Sequence, residues 1–443
     1  MNYRTAMSAA LAAFLLAGCG GAATVSTSAP ASSAAASVAA SSAPAVSSGA
    51  SASTAASAAA SASTPASAAP SGSASASSGA ASAAPSGAAS KPAAPPPPSV
   101  SVAPISSPSP ELKQLIDAAN KEGQLSFVWN NGLVMGPGSA DAWAAAMNKL
   151  YGTNIKITYT PGAPIPDMAA KTAEEVKAGR PTTTDVLITD PFPLLQQLIP
   201  QGTPQQVDWS WAPSLKDTTL VAPGNYGVEF VDLMSGITYN ANKLKGDAVP
   251  KTMADLLKPE FKGKVASTAA AIHFIELSAP ELWGEQKTVD YATKFASQIA
   301  GFINCAEISR IASGEFDVFA IDCGSSVADA FKARGAPVGE VVPTDAPVYT
   351  PLYMTIPKTS AHPNAAKLWI NFVLSPAGQE LLYKETFGDA VLPGSHTAAL
   401  VDSVQKSGAK PVKADIQFYQ RNDATKMVQV GTRLIDIFKS TTK

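Results

Sequence analysis

The residues able to do chemistry are few and scattered. The chain holds three histidines, His273, His362 and His396, and three cysteines, Cys19, Cys305 and Cys323. After residue 109 there is no G-x-S-x-G, G-x-x-x-x-G-K-[ST], G-x-G-x-x-G or H-E-x-x-H, so the common nucleophile, phosphate, dinucleotide and zinc signatures are missing. Neither Cys305 nor Cys323 has a base beside it to activate a thiolate, and no metal-ligand spacing links them to a histidine. A disulfide between them in an oxidising compartment is one reading, and two separate thiols the other. His362 stands before Pro363 as a surface cap, and His396 sits in a late loop, solvated. The chain reads as a non-enzyme with no cofactor and no bound metal. What remains is hydroxyl chemistry. Ser267, Thr268, Ser325 and Ser326 stand where helices are expected to begin, and free backbone amides there favour carboxylate, phosphate or sulfonate. The same residues are ordinary N-caps, and that reading stays open.

Those residues need a frame. Ser109-Pro110-Glu111 is an N-cap, a first-turn proline and a first-turn acid, and Leu112, Leu115, Ile116 and Ala119 follow at helical spacing up to Gly123. A strand from Gln124 to Trp129 comes next, then a helix capped by Ser139 and a strand from Asn154 to Tyr159. A third helix spans Met168 to Ala178, and a buried-type strand runs from Asp185 to Thr189. Alternating strands and helices imply an α/β fold with a mostly parallel sheet covered on both faces. Ligands in such folds lie beyond the carboxyl ends of the strands. That selects Trp129, Asn130 and Asn131 after the first strand, and Thr189 and Asp190 after the third. The apolar run Val228 to Thr238 reads as one strand broken at Tyr239, followed by a short helix behind Thr252 with Asp255 in its first turn. A strand then ends at Ser267-Thr268, with a helix from about Ile272-His273. His273 is thereby placed at the same level, with a structural role and ligand contact equally open. Another strand, Phe316 to Ile321, leads into Asp322 and Ser325-Ser326. Trp129, Tyr226, Tyr239 and Tyr353 are aromatic candidates for walling an apolar part of a ligand.

The stretch from Tyr239, "Y-N-x-x-K-L … P-K-T-x-x-D-L-L-x-P-x-F-K-G-K-V", resembles the interdomain passage of bacterial extracellular solute-binding proteins of the iron(III)-type, family 1 group. "K-A-G-R-P-T-T-T-D-V-L-I", "G-A-P-V" and "H-P-N-A-A-K-L-W-I-N-F-V-L-S-P-A-G-Q" are similar to further segments of that family, so the resemblance runs from about Glu111 to at least Phe387. It implies a two-lobed, type II periplasmic-binding-protein-like clamshell whose chain crosses twice between lobes. It also implies a capture subunit that hands a small solute to a membrane ABC permease. In the iron-binding members a pair of tyrosines follows the strand that here ends near Asp322. Residues 324–326 are Gly324, Ser325 and Ser326 instead, and two serines cannot replace two phenolate donors. A small anionic solute is therefore expected rather than ferric ion. A ferric-ion-binding member of the same family, and a secreted hydrolase or a solute sensor on the same scaffold, stand as alternatives.

Composition sets the boundaries. From Ala22 to Pro108 the chain is almost wholly Ala, Ser, Pro, Gly and Val, with Lys91 its only charge. Such a segment cannot bury enough apolar surface to offset its conformational entropy, so a disordered tether is expected. Its root-mean-square reach would be roughly 50 Å. The body from Ser109 carries 30 basic and 34 acidic residues, a net charge of −4, which offers no basic face for nucleic acid. Residues 1–18 read as a signal peptide, and Leu16-Ala17-Gly18-Cys19 resembles a lipobox that would lipidate Cys19. The expected division is 1–18 signal, 19–108 tether, 109–235 first lobe, 236–349 second lobe, and 350–443 the return to the first lobe with C-terminal helices. A monomer anchored by lipid outside the cell membrane is expected, with partners limited to the solute and the permease.

Overall fold

Ser109 starts the first helix as its sequence demands. In the computed structural model, which describes residues 99–130, 138–216 and 218–440, its Oγ accepts from the Leu112 amide at 3.2 Å. Helix α1 (Pro110–Glu122) then ends on Gly123 at φ 68°, a left-handed turn that costs a glycine little. Strand β1 (Gln124–Asn130), helix α2 (Ser139–Tyr151) and strand β2 (Lys156–Gly162) form a βαβ unit, with Leu125 opposite Ile157 in a parallel ladder. Ser139 is not the cap of α2. Gly138 holds that position, and the Ser139 hydroxyl donates across the core to Glu385 at 2.8 Å. Helix α3 (Ile165–Lys177) leads to β3 (Leu187–Thr189), and α4 (Pro191–Pro193) runs on into a π turn, Leu194–Leu198. Phe127, Trp129, Trp143, Phe230, Trp369 and Phe372 lie in the core over this sheet, their rings 5.0–6.0 Å from one another along the chain of contacts.

The expected single strand 228–238 is two strands in two sheets. β4 (Val228–Met234), buried at every residue, pairs with β10, whereas β5 (Ile237–Asn240) pairs with β8 and β9. The break falls at Ser235-Gly236. A Cβ on Gly236 would lie 2.4 Å from Glu340 Oε1 and 3.0 Å from the Val341 carbonyl, so only glycine lets the two connecting segments pass so closely. Thr252 and Asp255 then cap one another, each accepting the other's amide, as the sequence suggests. The second sheet has order β7-β6-β8-β5-β9. It is built from β6 (Val265–Ser267), α5 (Gly284–Ala296), β7 (Ile299–Phe302), α6 (Ser309–Ala312), β8 (Val318–Ala320), α7 (Ser325–Ala333) and β9 (Val338–Val341). No helix begins at Ile272-His273. Ala271 and His273 take φ of 49° and 62°, and the segment is a series of turns before a 3-10 turn, Glu276–Ser278.

Strand β10 (Val348–Thr355) brings the chain back to the first sheet, antiparallel to both β3 and β4. Helices α8 (Pro363–Val373) and α9 (Pro376–Thr386) follow, the latter capped by Ser375 Oγ at 3.1 Å from the Gly378 amide. Then come α10 (His396–Lys406) and β11 (Val412–Lys413), parallel to β10. The expectation of two crossings is corrected here. After Ala414 the chain crosses a third time. Helices α11 (Ile416–Arg421) and α12 (Ala424–Lys439) supply Phe418, Met427, Leu434 and Phe438 to the second core. There Phe438 meets Phe274 edge-on at 5.1 Å. All described residues belong to one unit, Ser90–Lys443. Among them no helix is long and apolar enough to cross a membrane.

Candidate functional site

The two sheets bring their carboxyl-end loops together, and there the expected residues separate into two groups. Trp129 is core: 3 % exposed and edge-on to Phe127 and Phe230 at 5.9 and 5.6 Å. Tyr353 is equally buried, in β10 opposite Thr189. Thr189 spends its hydroxyl on the Asp190 carbonyl at 3.2 Å. Tyr226, partly exposed before β4, shares no hydrogen bond or ring contact with the other candidates among the described residues. Tyr239 lies over Gly339 within the second sheet, where a Cβ would meet its ring at 2.4 Å. Asn130 ends β1, and Asn131 and Cys19 lie outside the described residues.

Asp190, His273 and Asp322 do converge. Asp190 leaves β3 at the N-terminal end of α4, on the first sheet. His273 and Asp322 come from the loops after β6 and β8, on the second. Burial pushes the Asp190 carboxyl above its ordinary range, with Glu276 adding to the shift and His273 opposing it. Burial likewise lowers the His273 imidazole, against the pull of Asp190 and Asp322. His273 Nδ1 is buried without a hydrogen-bond partner. Asp322, 1 % exposed, is a junction. Its Oδ1 accepts from the amides of Gly236 (2.8 Å) and Gly324 (3.0 Å), and its Oδ2 from the Thr238 hydroxyl at 2.6 Å. It therefore ties the hinge glycine, β5 and the entrance to α7 together, and its role within this fold is to hold that turn.

Glu276 and Tyr419 complete the cluster, and no motif or strand end in the sequence points to either. Tyr419 donates to Glu276 Oε1 at 2.5 Å, while Glu276 Oε2 is buried with no partner. Phe192, two residues beyond Asp190, stands edge-on to Tyr419 at 5.3 Å. Of the four hydroxyls expected at helix starts, two do open one. Ser325 and Ser326 begin α7, and Ser326 Oγ is buried and unpartnered. This turn faces the first sheet, since a Cβ on Gly388 would lie 2.9 Å from Val231 and 3.8 Å from Ser326 Oγ. Ser267 and Thr268 open no helix. Thr268 Oγ1 accepts from the Ile272 amide at 2.9 Å and shapes a turn, while Ser267 Oγ is buried without a partner.

A second charged group sits in the hinge. Lys413 of β11 reaches across β10 to Glu229, and its Nζ is 3.5 Å from Asp232 Oδ1, both on β4. Burial drives both carboxyls up, Asp232 pushes Glu229 further, and Lys413 opposes. Two acids inside the buried run Val228–Met234 were the available signal, but their cation lies 184 residues from Glu229.

Cys305 and Cys323 are joined in a disulfide with Cα atoms 5.6 Å apart, beside Asp322 and Gly324. Among the described residues no three of His, Cys, Asp and Glu are grouped to hold a metal ion. His362 is not a free surface cap: its Nδ1 lies 2.8 Å from Asp185 Oδ2 and its Nε2 2.8 Å from Gln124 Nε2. His396 begins α10, its ring stacked on Tyr383 at 3.4 Å and its Nδ1 3.0 Å from Asp389.

Solved structures repeat this architecture. An ABC-transporter substrate-binding protein from Agrobacterium tumefaciens aligns with a TM-score of 0.58 at 18% identity, over 72% of this chain and 96% of that one. The periplasmic binding protein AfuA of Actinobacillus pleuropneumoniae, with fructose-6-phosphate bound, gives 0.53 at 18% over 72% and 99%. Iron-bound HitA of Pseudomonas aeruginosa gives 0.53 at 18% over 70% and 99%. At such identities the likeness is one of fold. An uncharacterized Haemophilus influenzae protein is 28% identical over 166 residues, covering 35% of this chain and 46% of that protein, so the match spans less than half of that relative's length. Residues 183–417 match the family described as bacterial extracellular solute-binding protein. That is more than half of the sequence and takes in β3 to β11 with Asp190, His273, Glu276 and Asp322, while Tyr419 lies just beyond it, and the chain belongs to that family.

Proposed function

We propose that the chain is the extracytoplasmic capture subunit of an ABC importer, gripping a small solute without transforming it. The observation that carries this reading is that the carboxyl-end loops of both sheets meet at one place. There Phe192 beyond β3 packs on Tyr419, and Tyr419 hydrogen-bonds Glu276 beyond β6. Asp190 and His273 lie within electrostatic reach of each other. A solute bound between them touches both halves, so its binding energy is realised fully only when the halves are together. Such a solute shifts the open–closed equilibrium by its differential affinity for the two states. The three connections through Ser235-Gly236, residues 342–347 and Ala414 are the segments that would flex. The first turn of α7, with Ser325, Ser326 and free amides, supports an anionic group on the solute. The absence of tyrosine at 324–326 argues against ferric ion. Asn130, Asn131 and Tyr226 belong to this proposal as contacts at its rim. So do lipidation at Cys19, the tether, a monomeric state and delivery to a membrane permease.

Small-angle scattering of the full chain tests it, with organic acids, phosphate esters and amines added one at a time. At least one solute is expected to reduce the radius of gyration saturably. A chain that stays unchanged with every member of the panel would count against capture between the halves.

A further inference from the structure

The corner formed by Asp190, Glu276, Phe192 and Tyr419 has an unusual charge balance. Two carboxyls from opposite sheets lie within electrostatic reach of one another, and Asp322 adds a third near His273. Among the described residues, no lysine or arginine acts on Asp190, Glu276 or Asp322, and His273 is the one neighbour able to become positive. The contrast with the hinge is direct, because there Lys413 serves Glu229 and Asp232. Asp322 is satisfied by three donors, the Gly236 and Gly324 amides and the Thr238 hydroxyl. Asp190 receives no side-chain hydrogen bond from the described residues, and Glu276, 4 % exposed, keeps Oε2 unpartnered. Glu276 is buried and Asp190 half-buried, and carboxyls so placed without counter-charge are costly unless something supplies one. The rings of Phe192 and Tyr419 stand beside them, and an aromatic face next to an acid suits an organic cation.

We infer that this corner binds a protonated amine or quaternary ammonium group of the solute, with Asp190 and Glu276 as its counter-charges and Phe192 and Tyr419 as its walls, an inference that rests on the solute-capture reading above. With an anionic group at the first turn of α7, the solute is a zwitterion or an amine-bearing acid. The titration supports this direction. A carboxyl raised by burial contributes stability below its unfolded pKa, and that contribution is lost as pH rises through the folded value. The corner is thus least stable at neutral pH, where an ammonium helps most. The groups facing it are His273, Asp322, Tyr419 and, through Tyr419, Asp415.

The test is the melting midpoint of the full chain in amine-free buffer, with putrescine, choline, 4-aminobutyrate and succinate as separate probes. One of the three nitrogen-bearing probes is expected to raise the midpoint, and Asp190→Asn to weaken that probe about 30-fold or more. A rise with succinate alone overturns the ammonium assignment and leaves solute capture standing. If none of the four acts, the apo variants decide. Asp190→Asn and Glu276→Gln melting above the wild type at neutral pH, but not in acid, uphold uncompensated carboxyls. Midpoints at or below the wild type at every pH overturn the inference.

Discussion

Lys413 shows what a single side chain holds in this protein. Among the described residues it is the one cation serving two acids on a fully buried strand. Replacing it by Met keeps the aliphatic stem and removes the charge. Lys413→Met is expected to cost about 3 kcal/mol at neutral pH, the lower range for stripping a partner from a buried pair. Its pH dependence has a definite sign. Without Lys413 the raised Glu229 and Asp232 carboxyls favour their protonated forms in the folded state, so the variant should recover stability as pH falls toward the carboxylate range. Urea titrations at neutral and mildly acidic pH check this, and a loss equal at both would show that the charge is not the cause. At this scale the sequence was partly legible. Asp190 and Asp322 follow strands that the sequence shows, because a strand end and the residue after it are local facts, whereas His273 was expected at a helix start that the structure replaces with turns. Glu276 and Tyr419 could not be placed, since their meeting depends on a third crossing 143 residues away. Trp129 misled for the opposite reason: a strand end can turn inward, and only packing decides that.

Among the elements, the hairpin-like path from α6 through β8 to α7 is stapled by Cys305–Cys323 across a separation of 18 residues. Closing a loop of that size restrains the unfolded chain by about 3 kcal/mol on the chain-entropy account. Changing both cysteines to Ala is therefore expected to lower stability by about that amount, with the loss concentrated around Ile303, Ile308, Phe316 and Val327 of the same small core. Non-reducing peptide mapping with denaturant titration reads it, and an unchanged midpoint would mean the staple restrains nothing. Caps and stops were the elements most open to reading. Ser109, Gly123, Ser375 and the Thr252–Asp255 pair act as their chemistry suggests, because a cap needs only its own next turn. The strand Val228–Thr238 was not separable, because hydrophobicity continues across Ser235-Gly236 while the hydrogen-bonding partner changes. Residues 396–421 carried no assigned elements, and they hold α10, β11 and α11.

For the molecule as a whole, two α/β cores and a hinge were visible because strand–helix alternation restarts after residue 264. The destination of the C-terminus was not visible, since an amphipathic helix names a buried face without naming its partner. A chain ending at Asn422 tests that destination. Losing Met427, Val430, Leu434 and Phe438 should raise hydrogen exchange in α5 and β6 while α1 and β1 keep their protection. Equal loss in both cores would mean that they do not pack independently.

The third crossing also sets a timetable for synthesis. Phe274 and Phe295 precede the ring that covers them, Phe438, by 164 and 143 residues. The first core waits as well, for β10, α8 and α9. The first core has α8 and α9 by Thr386, whereas the second still lacks α11 and α12. The nascent chain therefore carries uncovered aromatic surface of the second core until α12 is made, a stretch in which a partly built core is open to misassociation.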